Sequence, residues 1–179
     1  VRITMLRGPK ASGETYEQTY DVPDMPGASI STLLQYISRH MDGTLRSVGR
    51  NAFGQLGDGV SSGASRTTLQ NVATPVTLAA LPEALSVGYE TVLAIEPANG
   101  ALWGWGDGHG LISSTPNEAV VAPRRIGTGT GFKAVSAGNR HALASGPGNV
   151  VYAWGFRESG GWGDGEITGL TVTPTMVTR

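Results

Sequence analysis

A phrase that ends in glycine occurs three times in this sequence, and its recurrence decides the fold. It reads GTLRSVG at residues 43–49, GALWGWG at 100–106 and NVVYAWG at 149–155. A second phrase, SVGYETVLA at 86–94, returns as SAGNRHALA at 136–144, and a third begins at Pro75, Pro123 and Pro174. Phrases that recur in the same order at offsets of about 48 to 57 residues indicate an internal repeat.

Each repeat consists of short apolar runs separated by glycine and proline, which predicts β-strands rather than helices. A period of about 50 residues made only of strands is typical of a four-stranded propeller blade, which buries its faces by stacking on neighbours. The Trp-Gly pairs at 105–106 and 154–155 place a large ring beside a residue without a side chain. We expect these tryptophans to pack between adjacent sheets rather than to bind a ligand.

The composition excludes several classes of function. The chain has 179 residues, with 27 glycines and no cysteine. Without cysteine there is no disulfide framework, thiol nucleophile, thiolate zinc site or cysteine-ligated iron–sulfur cluster. The net charge of −1 provides no basic surface, so we expect no nucleic-acid binding. No apolar run has the length of a membrane span, so we expect no transmembrane segment, and the compartment stays undetermined.

Residues 1–41 differ from the repeats and are predicted to form a separate domain. Alternating apolar residues predict a hairpin of two strands, residues 1–6 and 15–22. After the N-cap candidate Ser29, five apolar residues fall at helical spacing: Ile30, Leu33, Leu34, Ile37 and Met41. The predicted domains are therefore a hairpin–helix unit at 1–41 and propeller-like repeats at 42–179, with approximate repeats 42–81, 82–129 and 130–179.

Two stretches of the repeats resemble a known family. GRNAFGQLGDG at 49–59 resembles the Trp-Gly-x-Asn-x-x-Gly-Gln-Leu-Gly motif of the regulator of chromosome condensation repeat family, with Val48 in place of the tryptophan. Residues 135–144 resemble the family's histidine-containing strand. The resemblance covers about residues 42–179 and implies a β-propeller. Because the family closes a full ring, two to three blades would be an incomplete array that is a fragment or that binds another chain.

The first domain has a weaker resemblance, to the start of the iron–sulfur subunit of succinate dehydrogenase and fumarate reductase. It rests on YDVP at 20–23, GASISTLLQYI at 27–37 and DGTL at 42–45. This resemblance implies a ferredoxin-like β-grasp unit, which in that family precedes a Cys-x4-Cys-x2-Cys cluster loop. Here Gly49, Gly54 and Gly57 take that spacing, so no cluster and no other cofactor is expected. The propeller motif explains these glycines better.

Few residues are candidates for chemistry. The three histidines are His40, His109 and His141. No two of them are three or four residues apart as on a helix, so no metal site is predicted. His141 is expected to make a structural hydrogen bond. Three aspartates at glycine turns are expected to bond their own turns rather than calcium: Asp58, Asp107 and Asp164. Neither a nucleophile elbow nor a phosphate loop is present, so the protein is not expected to be an enzyme.

The sequence therefore predicts a mainly β protein, an incomplete propeller-like array of two to three four-stranded blades after a β-hairpin and a helix. Its predicted function is a non-catalytic protein-binding or assembly module, a scaffold that contacts a protein partner or a second copy through open blade edges. Arg124, Arg125 and Arg140 are the candidate partner-binding residues. Two alternatives stay open: a cofactor-free accessory subunit of a respiratory succinate dehydrogenase-like complex, and a virion or cell-surface structural or binding protein.

Overall fold

The computed structural model describes residues 2–7, 16–21, 45–73, 84–108 and 110–178. Contacts divide the chain into two units, Val1–Thr44 and Leu45–Arg179, and each is described by itself. The predicted domain and repeat boundaries stay predictions. The predicted helix over residues 30–41, His40 and His109 lie outside the described residues.

In the first unit, the described residues form an antiparallel hairpin. Strand β1 (Arg2–Arg7) pairs with β2 (Tyr16–Asp21), so that Arg2 lies opposite Asp21 and Arg7 lies opposite Tyr16. The hairpin predicted from the apolar alternation is therefore confirmed, with β1 shifted by one residue. The resemblance of this unit to the iron–sulfur subunits stays a prediction.

In the second unit, the described strands form three antiparallel sheets, which we call blades 1, 2 and 3. Blade 1 contains β3 (Arg46–Gly49) and β4 (Arg66–Asn71). Blade 2 contains β5 (Ala84–Val87), β6 (Thr91–Ile95), β7 (Leu102–Asp107) and β8 (Ala119–Arg125). Blade 3 contains β9 (Ala134–Ala137), β10 (His141–Ser145), β11 (Val151–Phe156) and β12 (Leu170–Met176). The predicted fold, an incomplete propeller-like array, is confirmed.

The repeated phrases show which strands correspond. The glycine-ended phrase forms β3, β7 and β11, and the SVG and SAG phrases begin in the first strands of their blades, β5 and β9. Blade 1 therefore corresponds to the third and fourth strands of blades 2 and 3. Within the described residues, no counterpart of β5 and β6 stands before β3.

In each complete blade, one buried tryptophan bonds to the loop of the preceding blade. Trp105 in β7 donates its indole Nε1–H to the carbonyl of Gln55 over 3.1 Å, and Trp154 in β11 donates to the carbonyl of Leu111 over 3.0 Å. Gln55 and Leu111 hold corresponding places in the loops after β3 and β7. The prediction that these tryptophans pack between sheets is confirmed.

The loop after β3 is organised around Asn51, which is fully buried. Its Nδ2 donates to the Asp58 carboxylate (3.1 Å) and to the Val60 carbonyl (3.0 Å), and its Oδ1 accepts from the Leu56 N–H (3.1 Å). Asp58 in turn accepts from the N–H of Val60 over 3.3 Å. Because both polar atoms of the Asn51 side chain are satisfied, this residue stabilises the loop.

The two other aspartates at glycine turns, Asp107 and Asp164, differ in their local structure. Asp164 accepts from the N–H of Glu166 over 3.2 Å, two residues further along, as Asp58 does from Val60. The prediction that the aspartate bonds its own turn is therefore confirmed for Asp58 and Asp164. Asp107 differs because it is the last residue of β7, opposite Ala119.

The outer strands of the complete blades contain proline at corresponding places, Pro123 in β8 and Pro174 in β12. Proline has no N–H to donate and is confined in sheets to edges and bulges. The outer edges of blades 2 and 3 are therefore poor templates for a further strand. Strand β3 carries no proline.

Candidate protein-docking site

A groove lies between blades 1 and 2, beside the free edge of β3. Strand β7 pairs on both sides, with β6 and β8, and β11 pairs with β10 and β12. In the part of the chain that the structure describes, β3 pairs only with β4. No described strand pairs with its other edge, which makes this edge a template for strand addition.

Apolar side chains are exposed along this groove. The exposed fractions are 52% for Val48, 47% for Leu85, 69% for Val87 and 75% for Tyr89. Val48 belongs to β3, Leu85 and Val87 belong to β5, and Tyr89 lies in the turn after β5. Contiguous exposed apolar surface rimmed by polar groups is typical of a protein interaction site.

Blade 3 shows what normally covers this surface. Val135 and Ala137 in β9 correspond to Leu85 and Val87, yet they are half-buried against the core. They are covered because β5 of the preceding blade approaches closely: the N–H of Ala137 donates to Ser86 Oγ over 2.9 Å. Leu85 and Val87 are exposed because blade 1 has no described inner strand to cover them.

An ion pair marks one end of the groove. Arg50 Nη1, in the loop after β3, lies 3.1 Å from Glu90 Oε1, in the turn between β5 and β6. An exposed pair of this kind contributes about 0 to 1 kcal/mol to stability. Its effect on a partner is therefore to favour one orientation rather than to supply affinity.

The predicted partner-binding arginines do not line this groove. Arg124 and Arg125 end β8, where Arg124 donates to Glu118 and Arg125 donates to the Thr128 carbonyl over 3.2 Å. Arg140 lies in the turn between β9 and β10 of the next blade, where the structure pairs it with Glu158 at 3.3 Å and places its guanidinium 3.8 Å from the Phe156 ring centroid. Arg124 and Arg125 thus lie in blade 2 and Arg140 lies in blade 3, and their role in partner binding stays a prediction.

Arg124 also changes the acidity of its neighbour. The hydrogen bond from Arg124, and to a smaller degree the one from Ser113, holds the pKa of Glu118 below its usual range. A partner carboxylate that approached Arg124 would compete with Glu118 for the same guanidinium group.

His141 begins β10, and its ring lies beside two glycines. A Cβ on Gly138 would lie 3.0 Å from the ring, and a Cβ on Gly161 would lie 3.1 Å from it. The ring therefore packs against the loop after β11, and its predicted structural hydrogen bond stays a prediction. In the described ranges, no group of three or more His, Cys, Asp or Glu residues is placed to hold a metal ion. No described helix is long and apolar enough to cross a membrane.

The apolar lining of the groove was not predicted from the sequence. Leu85 and Val87 lie in an ordinary strand pattern, and their exposure follows from the lack of a described inner strand beside them in blade 1. A signal was nevertheless present, since the glycine-ended phrase occurs three times but the SVG or SAG phrase only twice. The unmatched phrase at residues 43–49 marks blade 1 as a half-blade, with only the third and fourth strands of a blade among the described residues.

Comparison with known proteins identifies the architecture. The chain is 27% identical to Prp20p from Saccharomyces cerevisiae, a protein described with its binding properties to Gsp1p and histones, with a TM-score of 0.64. A second match, to the structure of Kap60 bound to yeast RCC1 (Prp20), has 26% sequence identity to this chain and a TM-score of 0.66. Human WBSCR16, at 20% identity and a TM-score of 0.60, shows the same fold.

The predicted resemblance to the regulator of chromosome condensation repeats is therefore confirmed in structure. The matched region covers 76%, 79% and 77% of this chain, respectively, but only 34% of each of those chains. The chain thus spans about a third of the length of these propellers. No protein-family model matches the chain, and no curated protein matches it significantly.

Proposed function

We propose that this RCC1-like propeller array is a non-catalytic protein-binding module, and that its docking site is the groove beside β3. Its structural neighbours support a role in protein binding, since Prp20p is described with Gsp1p and histones and in complex with Kap60. Because the chain spans about a third of those proteins, their partners are not assigned to it. The partner is instead defined by the chemistry of the groove.

The observation that carries this proposal is the difference between two corresponding surfaces. Leu85 and Val87 are exposed, whereas Val135 and Ala137 are half-buried because β5 lies beside β9. A partner that supplied a short apolar strand would cover Leu85 and Val87. Pairing along β3 would also satisfy the backbone groups of that edge.

The inner strands of blade 2 define a suitable partner segment. Strand β6 pairs with β7 and all its side chains are buried, and β5 pairs with β6 through Ala84 opposite Ile95. The partner is therefore a protein that presents one or two short, apolar, extended segments. Strand addition of this kind obtains affinity from main-chain hydrogen bonds and specificity from alternate side chains.

The test is an NMR titration of the isotopically labelled full chain with a peptide of residues 84–95, ALSVGYETVLAI. We expect amide shifts along β3 and around Leu85 and Val87, and none in blade 3. Val48→Lys places a charge on the apolar edge and weakens binding about tenfold or more, since about 1.4 kcal/mol corresponds to a factor of ten.

The matched control is Val60→Lys. Val60 is exposed to a similar degree as Val48 but does not line the groove, and its interactions in the loop use backbone atoms. We expect it to bind the peptide like the wild type. Equal binding by the Val48→Lys variant, or shifts away from β3, contradicts the proposed site.

A further inference from the structure

We infer that the loop after β11, residues 157–166, is a receptor for a tryptophan side chain presented on a Trp-Gly β-strand from outside this sequence. This loop lies at the other end of the array from the groove beside β3, so the inference goes beyond the proposed function. It rests on a comparison with the loop after β3, which has the same geometry and is occupied by Trp105.

The two loops share their backbone bonds. In the first, the N–H of Gly57 donates to the Gly54 carbonyl over 2.8 Å; in the second, the N–H of Gly163 donates to the Gly160 carbonyl over 3.0 Å. All four glycines have positive φ, from +67° at Gly57 to +77° at Gly54. The aspartate turns that follow also correspond, as described for Asp58 and Asp164.

The first loop shows how an indole is held. The Gln55 carbonyl accepts from Trp105 Nε1 over 3.1 Å, and a Cβ on Gly57 would lie only 2.8 Å from that nitrogen. Glycine at this place is thus required by the close approach of the ring. The loop after β7 repeats the arrangement, since the Leu111 carbonyl accepts from Trp154 Nε1 over 3.0 Å.

The loop after β11 has the corresponding residues, but no indole of the described residues bonds to it. Gly161 corresponds to Gln55 and Gly163 to Gly57. No donor from the described residues bonds the Gly161 carbonyl, and nothing lies within 4 Å of a Cβ placed on Gly163 or on Gly160. The resulting hollow is bordered by Asp164, Glu166 and the exposed side chain of Ile167.

The third loop is also held in shape without an occupant. Arg157 takes the place of Asn51 and lies 3.3 Å from the Asp164 carboxylate, and its guanidinium lies 4.3 Å from the ring centroid of buried Trp162. The Arg157–Asp164 pair thus holds this loop together as the Asn51–Asp58 hydrogen bond holds the first loop. A preorganised receptor reduces the entropy that binding must overcome.

The occupant is a strand from outside this sequence and not a second copy of this chain. All four tryptophans of the chain are buried: Trp103, Trp105, Trp154 and Trp162. At the open end of blade 1, Val48 stands where the corresponding strands have tryptophan. A second copy therefore offers no free indole, and the Trp-Gly strand that fills the loop must come from outside this sequence.

The test is a titration of the full labelled chain with a peptide of residues 150–157, VVYAWGFR, which contains the Trp-Gly strand. We expect amide shifts at residues 160–166. Peptides with phenylalanine or 1-methyltryptophan in place of tryptophan lack the indole donor, and we expect them to bind about fivefold more weakly.

Two alanine variants provide the matched comparison. Gly163 and Gly63 both have positive φ, +72° and +64°, and nothing within 4 Å of a Cβ. Alanine therefore strains both backbones alike, but Gly63 lies in the loop after β3, and only Gly163→Ala fills the place of the indole. We expect Gly163→Ala to weaken peptide binding about tenfold and Gly63→Ala to leave it unchanged.

Three results overturn the inference. The first is equal binding by Gly163→Ala and Gly63→Ala, or equal binding of the tryptophan and phenylalanine peptides. The second is a set of shifts confined to β3, which places the peptide in the groove of the proposed function. The third is self-association without peptide that Gly163→Ala abolishes, which identifies a second copy as the occupant. Failure of the groove proposal, tested with Val48→Lys, leaves this inference intact.

Discussion

Three buried indole groups differ in their hydrogen bonding at the residue scale. Trp105 and Trp154 donate their Nε1–H to a loop carbonyl, whereas Trp162 Nε1 is buried with no hydrogen-bond partner. A neutral hydrogen bond contributes about 1 kcal/mol net to stability, and an unsatisfied buried donor costs about 1 to 3 kcal/mol. The same substitution therefore has different consequences at the three positions.

We predict that Trp105→Phe and Trp154→Phe each lower the free energy of unfolding by about 1 to 2 kcal/mol more than Trp162→Phe does. All three variants remove the same atoms, so the loss of ring volume is matched. Only the first two lose a hydrogen bond, and Trp162→Phe removes an unsatisfied donor. Urea denaturation followed by circular dichroism measures the difference, and an equal loss in all three variants contradicts the role assigned to the indole hydrogen bonds.

A second prediction concerns the close approach at Gly57. Gly57 and Gly59 both have positive φ, +67° and +89°, so alanine strains the backbone at each by about 1 to 3 kcal/mol. Only at Gly57 does the new methyl group meet Trp105, and we expect Gly57→Ala to lose about 1 to 3 kcal/mol beyond Gly59→Ala. Thermal unfolding of the two variants tests this, and similar midpoints would show that Trp105 moves aside.

The carboxyl group of Glu118 provides a third prediction. Arg124 is the largest cause of its lowered pKa, and Ser113 is the next. We therefore expect Arg124→Ala to raise the pKa of Glu118 towards its usual range, and Ser113→Ala to raise it less. Carbon-13 NMR titration of the carboxyl group measures both, and an unchanged pKa in Arg124→Ala contradicts the assignment.

The sign of the accompanying pH effect follows from the direction of this shift. Because the pKa of Glu118 is lower in the folded than in the unfolded protein, its ion pair stabilises the fold above the usual carboxyl pKa. That contribution is lost as the pH falls through the lowered value. It is absent in Arg124→Ala, so the difference in stability between this variant and the wild type narrows at acid pH.

At the scale of elements, the half-blade is the feature that sequence reasoning could not fully resolve. Spacing alone predicts the repeated strands, the propeller-like blades and the structural role of Trp105 and Trp154, because repeat periodicity depends only on sequence order. The exposure of Leu85 and Val87 was not, because it depends on which neighbouring strands are present. Likewise, the carbonyl partners of the indoles lie in a preceding repeat, 43 and 50 residues away, and only the fold brings them together.

The free edge of β3 leads to a prediction about hydrogen exchange. Strand β7 pairs on both sides and most of its residues are buried, whereas β3 pairs on one side with residues that are exposed or half-buried. We expect amide protons in β3 to exchange much faster than those in β7, because edge pairs open at lower free energy. Equal protection in the two strands would show that another segment covers the edge.

At the scale of the whole molecule, the second unit has two different ends, an apolar strand edge at β3 and an indole-accepting loop after β11. These ends are not complementary in this chain, since Val48 replaces the tryptophan that the loop would accept. Head-to-tail copies therefore cannot close a ring through the contact that joins blades 1, 2 and 3. Among the described residues, the β3 edge and the groove beside it then offer an apolar surface through which the free protein can associate.

We therefore predict a weak, concentration-dependent self-association of the full chain that depends on β3 and not on the loop after β11. Size-exclusion chromatography with light scattering should show an apparent mass that rises with protein concentration. Val48→Lys should abolish the rise, because an edge lysine opposes strand pairing, whereas Val60→Lys and Gly163→Ala should leave it unchanged. A wild-type protein that stays monomeric at all concentrations contradicts an edge open to solvent, and loss of association in Gly163→Ala would place the contact at the other end of the array.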